Sequence, residues 1–186
     1  TAGAGDRDRG VPPGAELLCA FANTLDVDEG GSDALTDPDA LTRWLRDHGL
    51  LDKHDRASAS DLALAVAFRT GLRQAMIQHH DKSDAPLAGL DETAAQLPLR
   101  LVFEGTRPRL VPAVEGGSPG VARLLVAVAN AEADQIWGRL KLCAASDCAW
   151  AFYDTSKNRS RQWCSMGVCG NRQKTRAYRA RQRVKD

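Results

Sequence analysis

Four of the five cysteines of this 186-residue chain fall in its last quarter, as two evenly spaced pairs. Cys143 and Cys148 enclose four residues, Cys164 and Cys169 enclose four more, and fifteen residues separate the pairs. A segment this short has little core of its own, so a metal or a covalent link must hold it. Three chemistries compete. Thiolate is a soft ligand suited to zinc, and four of them close a tetrahedral shell. Disulfides are the second, and a redox dithiol the third. Thr1 to Gly14 is polar and rich in Gly and Pro, without the apolar run of a secretion signal. A cytoplasmic, reducing compartment is therefore expected, where paired cysteines are metal ligands or redox groups. The expected filling is one structural zinc ion on Cys143, Cys148, Cys164 and Cys169. His48, His54, His79 and His80 are all upstream, and four thiolates leave no open position for catalysis.

The net charge of +1 conceals an asymmetry: residues 138–186 carry +9 and residues 1–137 carry −8. From Lys157 to Lys185 there are ten Lys or Arg and no Asp or Glu. A basic, metal-pinned end module suits a polyanion, with double-stranded DNA as the expected partner. The segment from Cys164 to about Val184 reads as a long basic helix. On it Arg172, Arg176, Arg179 and Arg183 fall within a band of about 60°. Guanidinium groups so aligned suit a DNA groove, with Arg172 as base reader. Lys157, Arg159 and Arg161 in the preceding loop are expected to hold phosphate. Lys174, on the opposite side with Tyr178, Arg181 and Lys185, is also a candidate DNA contact. The bland alternative is a solvated basic tail.

Residues 1–137 read as a mainly helical α+β domain, and residues 138–186 as a small appended finger. Residues 1–14 look like a disordered lead. Leu18, Phe21, Ala22 and Leu25 mark a helix over Ala15–Asp26, with Cys19 as a small buried hydrophobe. Thr36-Asp37-Pro38 is a helix start and Gly49 its stop. A strongly apolar helix runs from Ser58–Asp61 to about His80 and belongs at the centre of a bundle. Leu90–Leu97 suggests a short helix, Leu99–Val114 a β-hairpin turning at Glu104-Gly105-Thr106, and Val121–Trp137 the last helix. Arg139–Leu142 and Trp150–Tyr153 read as a small hairpin in the finger. No apolar run is long enough to cross a membrane.

Cys143-x4-Cys148, then Asp154 to Arg161 (DTSKNRSR), Trp163-Cys164-Ser165-Met166 and Cys169-Gly170-Asn171-Arg172 together resemble the bacterial CGNR zinc-finger family. Its members usually carry an N-terminal ABATE domain, and Phe21-Ala22-Asn23-Thr24 is similar to that domain's opening motif. The resemblance implies a stress-induced transcriptional regulator, with the four cysteines as zinc ligands and the finger as the DNA-binding part. It implies no ligand for the ABATE domain.

The whole therefore reads as a cytoplasmic, nucleoid-associated DNA-binding regulator with an N-terminal sensing or dimerisation domain. A homodimer is one expectation. A zinc-stapled protein-interaction adaptor is the first alternative. An RNA binder stacking bases on Trp150, Phe152, Tyr153 and Trp163 is the second. No enzyme is expected, because no Gly-rich phosphate loop, HExxH run or nucleophile elbow is present. Asn23, Arg69 and Arg73 are polar groups in apolar helices and need partners. Two readings stay open for them: an internal carboxylate such as Asp26, or a pocket in which they hold a small carboxylate effector.

Overall fold

The computed structural model describes residues 10–27, 31–113, 119–145 and 147–183, without the side chains of 177, 180, 181 and 183. Residues 1–9, which include most of the expected disordered lead, lie outside that set, as does Val114, the last residue of the expected hairpin. Helix α1 spans Pro13–Ala22, earlier than the expected Ala15–Asp26, because Pro13 takes the first-turn position where its missing N–H costs nothing. Its Ala15, Leu18, Phe21 and Ala22 are buried. Leu25–Asp26 (β1) instead pairs antiparallel with Ser32–Asp33 (β2). Helix α2 spans Pro38–Asp47, and the Asp37 carboxylate caps it by accepting from the Ala40 N–H at 2.8 Å.

Helix α3, Ala59–Asp81, opens on a reciprocal capping box between Ser58 and Asp61. Ala65, Phe68, Leu72 and Met76 form its buried face. It packs against α1, α2, α4 (Ala88–Ala94), α5 (Pro119–Ala133) and β5 (Leu140–Leu142), which makes it the central element. The Phe21 ring lies 5.2 Å from Trp44 and 6.0 Å from Phe68, joining α1, α2 and α3. Strands β3 (Leu99–Glu104) and β4 (Arg107–Pro112) form the expected hairpin. Gly105 has φ +65°, which the first central position of a two-residue II′ turn requires. Helix α5 stops at Ala133, short of the expected Trp137. Gln135 takes φ +57°, and a 3₁₀ turn over Trp137–Arg139 leads into β5.

Strand β5 pairs with β6 (Ala151–Tyr153), as expected for the finger hairpin. This hairpin does not stand apart from the N-terminal domain. Leu140, Leu142 and Ala151 are buried in the same apolar cluster as Leu18, Phe68 and Leu124, with β5 against α3 and β6 against α1. The C-terminal helix α6 is Asn171–Arg183, preceded by a π turn over Met166–Gly170. It is shorter than the expected Cys164–Val184 helix, because the second cysteine pair needs the chain to turn before the helix begins. Among the described residues, no helix is long and apolar enough to cross a membrane.

Candidate zinc centre and basic face

The strand β5 delivers Cys143 at its end, and the turn before β6 delivers Cys148. The turn between them is closed, since the Cys143 N–H donates to the Trp150 carbonyl at 2.8 Å. Cys164 precedes the π turn and Cys169 lies within it. The Ser165 hydroxyl accepts from the Val168 N–H at 3.3 Å and caps that turn. Gly170 sits close under the Met166 side chain. A Cβ there would lie 3.1 Å from Met166 Sδ.

All four Sγ atoms lie within 4.8 Å of one another and all four cysteines are buried. Cys164 Sγ is 3.7 Å from both Cys148 Sγ and Cys169 Sγ. A tetrahedron with Zn–S bonds of about 2.3 Å has edges of about 3.8 Å, so these thiols match zinc. Without a cation among them, the thiols do not ionise together. Accepting a hydrogen bond from Cys164 lowers Cys143 to about 5. Burial pushes Cys148 up to about 12. Cys164 is also raised, first by its bond to Cys143. Four buried thiolates repel one another unless a dication sits among them. Phe152, Trp150 and Trp163 pack around the cluster as its small apolar shell. Cys19 stands apart. Burial pushes its thiol up to about 12, in keeping with an inert, hydrophobe-like cysteine.

A second hub orders the loop between the pairs. Asp154 is fully buried and takes Lys141 Nζ at 2.8 Å, Ser156 N–H at 2.9 Å, Ser156 O–H at 2.6 Å and Arg161 N–H at 3.0 Å. Burial pushes its carboxyl up, but these donors outweigh that and hold it below the usual range. Lys141 also donates to the Arg159 carbonyl at 2.6 Å, and Arg139 reaches the carbonyls of Asp154 and Ser156, each at 2.9 Å. Sequence reasoning missed Lys141 and Asp154. The signal was a charged residue inside a strand flanked by Leu140 and Leu142.

The expected DNA contacts divide. Lys157, Arg159, Lys174 and Arg179 are exposed. Arg161 is not a free cation. Its guanidinium stacks 5.2 Å above Phe152, and it donates to the carbonyls of Trp163 and Cys164. Arg172, expected to read bases, is half-buried. Its Nη2 lies 3.6 Å from Cys169 Sγ, and its Nη1 lies 3.4 Å from the Asp147 carboxylate. Arg176 is exposed but pairs with the same Asp147 at 2.7 Å. Burial would raise Asp147, but the Arg176 bond and the charges of both arginines hold its carboxyl low. The arginine stripe thus begins against the first cysteine pair, with Asp147 as a clasp that sequence reasoning missed. The Arg183 side chain lies outside the described residues.

Asn23, Arg69 and Arg73 do not form an effector clamp. Arg69 is buried and makes a two-pronged pair with Asp33, 2.6 Å on each prong, while also donating to Thr24 Oγ1 at 2.9 Å. The internal carboxylate that Arg69 meets is Asp33 on β2, while the charge of Asp26 acts on Arg73. Arg73 donates to the Ala22 carbonyl at 2.9 Å and to the Ala149 carbonyl at 3.0 Å. The Asn23 amide takes the Ala151 N–H at 2.7 Å and gives its own N–H to the Ala151 carbonyl at 3.0 Å. A cavity beside Asn23 is lined by Cys19, Trp150, Tyr153 and Arg161, and neither Arg69 nor Arg73 reaches it. These polar groups are rivets. Asn23 and Arg73 fasten the finger to α1 and α3, and His79 adds a third tie through Nδ1 to the Leu140 carbonyl at 2.9 Å.

Two family models match the chain in succession. Residues 15–138 match ABATE, described as "Putative stress-induced transcription regulator", and residues 139–182 match the CGNR zinc finger. The chain belongs to the ABATE family. Its C-terminal CGNR finger contributes the four thiols of one structural zinc ion. A search of curated proteins finds no match. The run Phe21-Ala22-Asn23-Thr24, similar to the ABATE opening motif, has a physical meaning in this chain. Phe21 centres the aromatic core, Asn23 holds β6, and the Thr24 hydroxyl accepts from Arg69.

Proposed function

We propose that this ABATE–CGNR protein is a zinc-containing transcriptional regulator whose finger binds duplex DNA. The observation that carries this reading is the set of exposed cations, Lys157, Arg159, Lys174 and Arg179, on a finger with four buried cysteines, attached to an otherwise acidic chain. Asp154, Lys141 and Arg139 order the loop that carries Lys157 and Arg159, so those charges are presented on a fixed frame. Arg176 joins them when Asp147 releases it. The site of action is then the cytoplasm and its nucleoid, and the protein binds rather than catalyses. Sensing is assigned to the ABATE domain. Asn23, Arg73 and His79 give any rearrangement there a direct mechanical path to the finger.

Duplex DNA is favoured over single-stranded RNA because the aromatics are occupied. Phe152 is buried, Trp150 and Trp163 pack on the cysteine cluster, and Tyr153 packs on the main core, so these rings are committed to the fold. The test is a competition assay with the zinc-loaded full chain. Displacement by duplex DNA, weakened by salt and abolished by chelation of zinc, is the expected result. Preferential displacement by single-stranded RNA, or binding only to an acidic protein partner, would overturn it.

A further inference from the structure

The hairpin β3–β4 has two unlike edges. The Ala113 N–H donates to the Pro98 carbonyl at 2.8 Å, just beyond the Leu99–Pro112 pair. Bonded and non-bonded pairs alternate in an antiparallel ladder. Arg100–Val111, Val102–Arg109 and Glu104–Arg107 are therefore the bonded pairs. Leu99–Pro112, Leu101–Leu110 and Phe103–Pro108 are the non-bonded ones, which suits prolines that have no N–H to give. The backbone groups of Leu99, Leu101 and Phe103 consequently point away from β4. On the opposite edge the equivalent positions are Pro108, Leu110 and Pro112, two of which have no donor. Helix α5 also packs against β4.

The open β3 edge carries an apolar face as well. Leu99, Leu101 and Phe103 alternate onto one side of the hairpin. Leu101 is 55% exposed and Phe103 68% exposed. An open edge is normally blunted by proline, charge or a covering element, because it templates another strand. β4 carries prolines and packs against α5, whereas the charges of β3, Arg100 and Glu104, lie on the face opposite Leu99, Leu101 and Phe103.

We propose that β3 pairs with β3 of a second copy of this chain, antiparallel about a two-fold axis at Leu101. The strand is complementary to itself in this register. Leu101 meets Leu101, and Leu99 meets Phe103, so each outward N–H faces an outward carbonyl. The apolar side chains then merge across four strands. On the other side, Glu104 of one copy falls diagonal to the exposed Arg100 of the other, matching charge. Glu104 already accepts from Arg109 at 2.5 Å through one oxygen, which leaves its other oxygen to face Arg100. This pairing needs no DNA, and its outcome is independent of the DNA-binding proposal.

The test is sedimentation of the full zinc-loaded chain over a range of concentrations, with Leu101→Pro and Phe103→Lys. Proline at 101 deletes an N–H that the hairpin itself does not use, whereas the dimer loses two, one from each copy. Wild type should dimerise. Leu101→Pro should raise the dissociation constant roughly tenfold or more, the equivalent of two lost hydrogen bonds. Phe103→Lys should do so without touching the core, and it decides the matter alone if Leu101→Pro loses helical content or zinc. A wild type that stays monomeric overturns the proposal, as does a dimer that both folded variants leave unchanged. A monomer that instead captures an apolar extended peptide through β3 also overturns it, in favour of a foreign strand.

Discussion

Replacing Asn23 by Ala should loosen the finger from the ABATE domain. The Asn23 amide makes two hydrogen bonds to Ala151, at 2.7 and 3.0 Å, and Ala151 is buried at the centre of the contact between α1 and β6. Each bond contributes about 1 kcal/mol net, and an N–H left unpaired inside the protein adds to the cost. The expected loss is about 2–3 kcal/mol, or a melting-temperature drop of about 5–10 °C for a chain of this size. Asn23→Asp should fare no better. It keeps an acceptor for the Ala151 N–H but turns an oxygen toward the Ala151 carbonyl. Urea denaturation would be followed by tryptophan fluorescence, which reports Trp137 and Trp150 near the contact, with zinc release read in parallel by a chromophoric chelator. A loss below about 0.5 kcal/mol for Asn23→Ala, the scale of an ordinary surface change, would refute the role of Asn23 as a rivet.

Elemental analysis of reduced protein should give one zinc per chain, and Cys148→Ser should lose both the metal and the folded finger. A folded finger with less than about half an equivalent of metal contradicts the centre. Asp147→Asn removes a negative charge from the finger and releases the exposed Arg176, so it should tighten non-specific duplex binding several-fold. Weaker binding in a titration would show that Asp147 positions the helix rather than masking it. Asp33→Asn leaves Arg69 buried without its carboxylate and should cost about 2 kcal/mol at neutral pH, the partial exposure of Asp33 reducing the full value for a buried pair. The hydrogen bond from Arg69 chiefly holds the folded pKa of Asp33 below its ordinary value. That contribution is therefore complete above the unfolded carboxylate value of about 3.9 and is lost as pH falls through the lower folded value. Denaturation of wild type and variant across pH should show the gap closing on the acid side, and a gap that widens there would contradict the pairing.

Local chemistry was legible in the sequence wherever one short segment decides the outcome. The cysteine spacing marks the zinc site, Asp37-Pro38 opens α2, and Ser58 with Asp61 opens α3. The hairpin turn at Gly105 follows from glycine alone. What escaped depends on residues far apart in the chain. Asn23 and Arg69 announce themselves as polar groups in apolar helices, but nothing local says that their partners are Ala151 and Asp33. Arg172 lies on the arginine stripe by spacing, yet the turn of the first cysteine pair brings Asp147 beneath it. The end of α5 is set by the left-handed Gln135 and the docking of β5, neither of which leaves a periodic trace. The contact between the domain and the finger escaped for the same reason. The boundary in composition is real, but the apolar faces of β5 and β6 complete the ABATE core.

The proposal that the finger contacts duplex DNA through its exposed cations is tested most directly by the salt dependence of binding. Dissociation constants of the zinc-loaded full chain for one duplex would be measured across salt concentrations, for wild type and for Lys157→Ala, Arg159→Ala, Lys174→Ala and Arg179→Ala. Each residue that touches phosphate should reduce the slope of log affinity against log salt by about 0.9, while helical content and zinc stay unchanged. If wild-type affinity is indifferent to salt, or all four variants keep the wild-type slope, the basic face does not hold DNA.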